Sequence, residues 1–257
     1  MESKEFTSEN QIESKERFGR NVEVHILFAR HGEKDETGNL TPEGKEQARI
    51  AGESLEKRDV IKADVAPVQR VIDTVNSIVE SAPHDKKMNI RTRTELGYQA
   101  SPDFVRQFRG IEAQGGDTAP QWFLDFGEKR PDQSTLSPHE VAEQLASLVE
   151  HYTELAKRLY SGSRVDWVLG TQQALPEALL KEVLLRTEND KKISGFQNLA
   201  EIGGALRFAE TIDFEIKTGN DGNMALKINF RGKNYDVDVD KLHQLALACR
   251  DKQNNEK

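Results

Sequence analysis

One cysteine in 257 residues, Cys249, leaves the chain without an internal disulfide and without a cysteine-rich metal site. No apolar run is long enough to cross a bilayer. The opening MESKEFTSENQIESKERFGR lacks the apolar core of a secretory signal, so a cytoplasmic setting is the expectation. The GxxxxGK[ST] sequence of a Walker-type nucleotidase is missing, and TPEGK at 41–45 is too short to replace it. His139 and His151 show no paired ligand spacing, so neither a metal nor another cofactor is expected. A net charge of -8 argues against broad nucleic-acid binding and against attraction to an anionic membrane, while leaving room for a local positive pocket. With 31% charged and 36% hydrophobic residues the surface is wet, and the length suffices for one large α/β domain.

Against these absences, VEVHILFARHGEKDETGNLTPEG at 22–44 concentrates chemistry-bearing residues. Val22, Val24, Ile26 and Phe28 alternate with Glu23, His25 and Leu27, and Ala29 follows, which reads as a strand increasingly buried toward its end. Arg30 and His31 leave that strand where open α/β sheets present ligands. Gly32 lets the backbone turn close to whatever is bound, and Thr41-Pro42-Glu43-Gly44 caps a helix with proline at its first position. Neutral imidazole is a nitrogen nucleophile near neutral pH, and the arginine fork can hold two phosphate oxygens. Read alone, His31 in a turn hydrogen bond and Arg30 in a surface ion pair is the plainer alternative.

Arg30-His31-Gly32-Glu33 at the end of a strand resembles the Arg-His-Gly motif of the histidine phosphatase superfamily, which includes phosphoglycerate mutases and many phosphomonoester hydrolases. LTPEGKEQA at 40–48 resembles the family's first-helix opening. The resemblance implies His31 as the nucleophile that becomes phosphohistidine and Arg30 as a phosphate ligand. VAPVQRVIDTVNSIVE at 65–80 resembles the stretch with a second phosphate-binding arginine, matched by Arg70, with Thr74 one helical turn on. The TEL of MNIRTRTELGYQA resembles the segment that supplies an acidic proton donor and puts that role on Glu95. A surface salt bridge from Glu95 to Arg91 or Arg93 is the competing reading, and Glu33 and Asp35 are competing acids. VDWVLGTQQALPEALL at 165–180 resembles the late strand and helix that carry a second catalytic histidine after threonine, but the matching residue is Gln172. Gln172 can hydrogen-bond to phosphate; it cannot reproduce an imidazolium.

Strand, helix, strand and helix in that order favour a layered α/β fold with right-handed crossovers. The resemblance makes it a three-layer α/β/α sandwich with a mostly parallel central sheet. Helices are expected over 42–58, from Pro67 through Val79, and from Ser137, where Ser137-Pro138-His139-Glu140 is a capping box. Asn220-Asp221-Gly222-Asn223 predicts a turn between strands 212–217 and 224–230, and Arg231-Gly232-Lys233-Asn234 another before YDVDV and a terminal helix. Asp236, Asp238 and Asp240 read as a solvated strand face. Residues 1–20 form a polar extension with a short helix around 11–18, and 21–250 the domain. Within it 101–138, with Trp122, Phe123, Leu124 and Phe126, is a cap or specificity region. Arg207 is a further candidate phosphate ligand.

The expected activity is hydrolysis of a phosphomonoester, a phosphorylated small molecule, through a phosphohistidine. His31 and Glu95 are then catalytic, with Arg30, Arg70 and Gln172 around the phosphate. Gln172 keeps open a catalytically impaired, phosphate-ligand binding protein, and a phosphomutase is the third alternative.

Overall fold

The computed structural model describes residues 17–188 and 190–255. The helix expected around 11–18 lies for the most part outside the described residues. The strands are β1 (Glu23–Arg30), β2 (Val60–Val65), β3 (Lys86–Lys87), β4 (Arg91–Thr92), β5 (Arg164–Thr171), β6 (Leu184–Glu188), β7 (Lys191–Ser194), β8 (Thr211–Thr218), β9 (Met224–Phe230) and β10 (Lys233–Val237). The helices are α1 (Pro42–Glu53), α2 (Gln69–Ser81), α3 (Pro102–Glu112), α4 (Thr118–Leu124), α5 (Pro138–Ala156), α6 (Leu175–Val183) and α7 (Val239–Asn255).

All strands join one sheet in the order β3-β2-β5-β1-β8-β9-β10-β6-β7, with β4 also on β2. β1 is central, and every residue after Glu23 in it is buried. It runs parallel to β5 on one side and antiparallel to β8 on the other. The expectation of a mostly parallel sheet is therefore wrong: the sheet is mixed. Its β2, β3, β4, β5 and β1 part is parallel, whereas β8, β9, β10, β6 and β7 pair antiparallel. The reason is connection length. The turns at 219–223 and 231–232 are too short for a crossover, so the strands they join can only be antiparallel neighbours.

Helices cover both faces, as residues of opposite parity on β5 show. A Cβ on Gly170 would lie 2.5 Å from Val75 Cγ2 and 2.9 Å from Val71 Cγ1, so α2 lies directly on that face. Trp167, of opposite parity, meets Tyr152 of α5 with ring centres 4.3 Å apart on the other face. α1 packs on α2, and α5 on α6 and α7. Helix starts follow the chain's local chemistry: Thr41 accepts from Gly44 N, and Ser137 and Glu140 form the capping box. α1 stops at Glu53, short of the expected 58.

A partly buried charge cluster around the buried His25 pins the start of the central strands. His25 lies between Asp213 Oδ2, 2.8 Å from Nδ1, and Glu23 Oε1, 2.9 Å from Nε2. Carboxylates only accept, so both ring nitrogens donate and the ring is an imidazolium. Glu215 is 3.7 Å away, while Arg58 and Lys217 bind Glu23 at 2.5 Å and Glu215 at 2.6 Å. Burial opposes the charge on His25, but Asp213 and Glu23 outweigh it and raise its pKa. Glu23, His25 and Glu215 are the one group among the described residues with metal-ligand geometry, and these cations already occupy its carboxylates.

A raised folded pKa means that the stabilisation is complete below the unfolded value and is lost as pH rises through the folded one. His25→Gln is therefore expected to cost about 2 kcal/mol at pH 6, the scale of lost charge-assisted hydrogen bonds, and clearly less at pH 9. Urea unfolding of both proteins at the two pH values measures this, and a pH-independent difference would refute the imidazolium.

Candidate active site

β1 delivers Arg30 and His31 to the end of the sheet where α1 and α2 begin. Arg30 is buried, its Nη1 donates to Leu206 O at 2.5 Å, and its guanidinium lies 4.3 Å from the ring centre of Phe208. Its Nε is buried without a hydrogen-bond partner among the described residues. His31 is only 3% exposed, and its Nδ1 lies 2.7 Å from Gly32 O. A carbonyl accepts only, so Nδ1 carries the proton and Nε2 keeps its lone pair. Burial first, and then Arg70, Arg30 and Lys34, push the His31 pKa down to about 3, against the pull of the Gly32 carbonyl.

Thr74 ties the second arginine to this turn. Its hydroxyl donates to Arg70 O at 2.7 Å and accepts from Gly32 N at 3.0 Å. Arg70 is half-buried, and its Nε is also without a hydrogen-bond partner among the described residues. Burial and Arg109 lower its pKa, with Glu112 opposing. Gly32 has a different task from the expected close approach to a ligand: a Cβ there would be 2.3 Å from Gly44 O, so the absence of a side chain lets α1 close on the loop.

Gln172 follows β5. Its Oε1 accepts from Tyr98 N at 3.1 Å, which fixes the amide so that the NH2 remains as a donor. Thr171 Oγ1 donates to Leu96 O at 3.0 Å, and Tyr98 donates its hydroxyl to Gln173 O at 2.5 Å, lacing the two loops together. His31, Arg70 and Gln172 line one cavity of about 280 Å³. Arg30 is tied to it through His31 and Phe208.

Glu95 does not line this cavity. Its Oε2 meets Thr94 Oγ1 at 3.5 Å, and its charge acts on Arg93 and on Cys249 of α7. Arg91 and Arg93 both bind Asp64 at 2.9 Å. Of the competing acids, Glu33 accepts from Thr41 Oγ1 at 3.3 Å, and Asp35 orders the 35–39 turn. The carboxylate on the cavity wall is Glu112 of α3, paired with Lys34 at 2.9 Å.

Other site residues escaped the sequence reading. Glu177, only 1% exposed, accepts from Leu206 N at 2.8 Å and so holds the segment whose carbonyl binds Arg30; burial raises its pKa. A charge inside the apolar LPEALL was the available signal. Phe208, next to the expected Arg207, is the residue at the site; Arg207 is exposed. Tyr98 carries no sequence signal of its own, whereas the spacing of Phe104, Val105, Phe108 and Ile111 predicts the amphipathic helix that forms here as α3, with Arg109 at the rim.

The chain matches the family model of the histidine phosphatase superfamily (branch 1) over residues 26–189. It belongs to that superfamily. Solved histidine-phosphatase-like structures share the fold at low identity. A mycobacterial glucosyl-3-phosphoglycerate phosphatase in complex with inorganic phosphate is 18% identical with a TM-score of 0.52, covering 81% of this chain and 97% of its own. A phosphoglycerate mutase from Bacillus anthracis str. Sterne is 14% identical with a TM-score of 0.52, covering 88% and 98%. A structure described as mycobacterial hydrolase 2 is 18% identical at 0.51, covering 88% and 97%. No curated protein matches.

In this superfamily member the buried, neutral His31 has a measurable cost. Its folded pKa lies below the unfolded value of about 6.5, so the unfolded chain takes up the proton first and stability falls as pH drops from about 6.5 toward 3. Replacing His31 by Gln removes this liability. Between pH 7 and pH 5 the variant should gain about 2 kcal/mol relative to the unsubstituted protein. Urea midpoints at both pH values test it, and parallel losses in the two proteins would show that His31 titrates normally.

Proposed function

We propose that this protein hydrolyses a phosphomonoester through a phosphohistidine on His31. The observation that carries the reading is the pairing of a neutral imidazole, its Nε2 lone pair free, with two arginines that have no carboxylate partner among the described residues. Nε2 attacks phosphorus, the ester P–O bond breaks, and the leaving oxygen takes a proton. Water then attacks the phosphohistidine, releasing inorganic phosphate and restoring neutral His31. Arg30, Arg70 and the Gln172 NH2 match the charge on the phosphoryl oxygens as it moves in the transition state.

The proton traffic falls to the groups on the cavity wall. The Lys34 ammonium gives a proton to the leaving oxygen and the Glu112 carboxylate takes one from the attacking water. Glu95 would serve as acid and then base only after the 94–96 turn reorients. One observation favours the second reading, phosphate-ligand binding without turnover. With Tyr98 N holding its oxygen, Gln172 offers a neutral donor and no cation.

The deciding experiment quenches the protein with labelled phosphomonoesters, maps any acid-labile adduct by peptide mass analysis and measures phosphate release. The adduct should sit on His31, and His31→Ala should abolish adduct and release. Arg70→Ala should lower kcat/KM by roughly 10²–10³-fold. Glu112→Gln should slow release, and Glu95→Gln should leave it unchanged; the reverse result returns the proton role to Glu95. Binding without adduct or turnover across a broad panel selects the second reading, and turnover that survives His31→Ala sinks the covalent mechanism.

A further inference from the structure

The cavity beside His31 divides chemically. Tyr98, Phe104 and Phe108 form one apolar patch, with ring centres 5.6–6.1 Å apart, and Val68 and Val105 extend the lining. α3 supplies 104, 105 and 108 from a single helical stripe, and the same stripe continues into Arg109 and Glu112. These last two, with Lys34 and Arg70, also border an adjoining cavity of about 350 Å³ under the 35–38 turn. An aromatic wall therefore ends in a charged border.

Asp35 and Glu36 lie on that border too, so its formal charges balance, but they are not paired one to one: Asp35 is engaged with Thr37 and Asn39 of its own turn. Lys34 is matched by Glu112 at 2.9 Å. Arg109 has no ion-pair partner among the described residues and lies close enough to Arg70 to depress its pKa. With His31 neutral, a phosphomonoester dianion is matched by Arg30 and Arg70, which leaves Arg109 without an anion. The volume of about 280 Å³ sits at the small end of ligand pockets, roughly 300–1,000 Å³, and suits a compact ester rather than a nucleotide or peptide.

We propose that the substrate is a small phosphomonoester whose leaving group is apolar and ring-sized, lying on the Tyr98, Phe104 and Phe108 wall, and carries a second acidic group that binds Arg109. This rests on the phosphoryl-transfer reading of the same site, and it names what that reading leaves open.

The test uses ligands that cannot turn over, so binding is separated from chemistry. Affinities of inorganic phosphate, methylphosphonate, benzylphosphonate and 4-carboxybenzylphosphonate are measured by calorimetry on the full chain and on Arg109→Ala and Phe108→Leu. The benzyl group should improve on methyl by about tenfold through apolar burial. The carboxylate should add about another tenfold, the scale of one charge-assisted hydrogen bond. Arg109→Ala should remove only the carboxylate gain, and Phe108→Leu should reduce only the benzyl gain. Phosphate and methylphosphonate binding without either gain overturns this proposal and leaves the phosphoryl site standing. Equal weakening of all four ligands by Arg109→Ala also overturns it, because Arg109 would then be a third phosphate ligand. If no ligand binds, phosphate included, both readings fall.

Discussion

Arg30, buried behind His31, and Arg70, half-buried on the cavity wall, bring two positive charges to one site, and among the described residues neither forms an ion pair with a carboxylate. An uncompensated charge held out of water costs about 3–5 kcal/mol, so the surrounding structure has to hold both groups in place. Arg30 is held by the Leu206 carbonyl and by the face of Phe208, contacts that compensate a guanidinium without neutralising it. Arg70 is held through its backbone, where the Thr74 hydroxyl links α2 to the amide of Gly32. Glu177 comes nearest to neutralising Arg30, but it spends one oxygen on Leu206 N, and burial favours its protonated form. The positive potential is thus left for a ligand.

The same potential adds to burial in setting the state of His31. Two guanidiniums and burial all disfavour an imidazolium, and the Gly32 carbonyl dictates which nitrogen holds the remaining proton. Anion affinity and nucleophilicity therefore share one cause. His25, six residues earlier and on the strand that leads to His31, shows the opposite outcome. Carboxylates at both ring nitrogens keep it charged despite similar burial. Burial opposes the charge on both rings; carboxylate partners overcome it at His25, and at His31 the neighbouring guanidiniums add to it.

What could be read from the chain follows the range of the interactions involved. The β1 strand, the turn after it, the Thr41 cap and the Ser137 capping box are local, and residue order specifies them directly. The turns at 219–223 and 231–232 are also legible and by themselves imply antiparallel strands, against the mostly parallel sheet that the family resemblance implies. The β6–β7 pair carries no strong turn signal and was missed. Glu177, Leu206 and Phe208 reach Arg30 across about 150–180 positions, and no periodicity records such a contact. For Glu95 the local pattern was clear, but the direction in which a side chain leaves a short 3-10 turn depends on the packing around it.

The cavity is built from two sources with different constraints. Its phosphoryl end comes from the β1 and β5 ends and the first turn of α2, elements locked by the parallel register of β1 on β5 and by close backbone contacts such as Gly32 on Gly44. Its other wall comes from α3, which lies outside the sheet and packs on α4, with Phe104 stacked against Trp122. Substitutions along α3 can therefore change what lies on the aromatic wall without moving His31, because no ladder hydrogen bond connects the two. Leaving-group preference is thereby physically separable from the phosphoryl chemistry. Changes to the turn at Gly32 have no such freedom, since the same backbone atoms set the His31 tautomer, the Arg70 tether and the approach of α1.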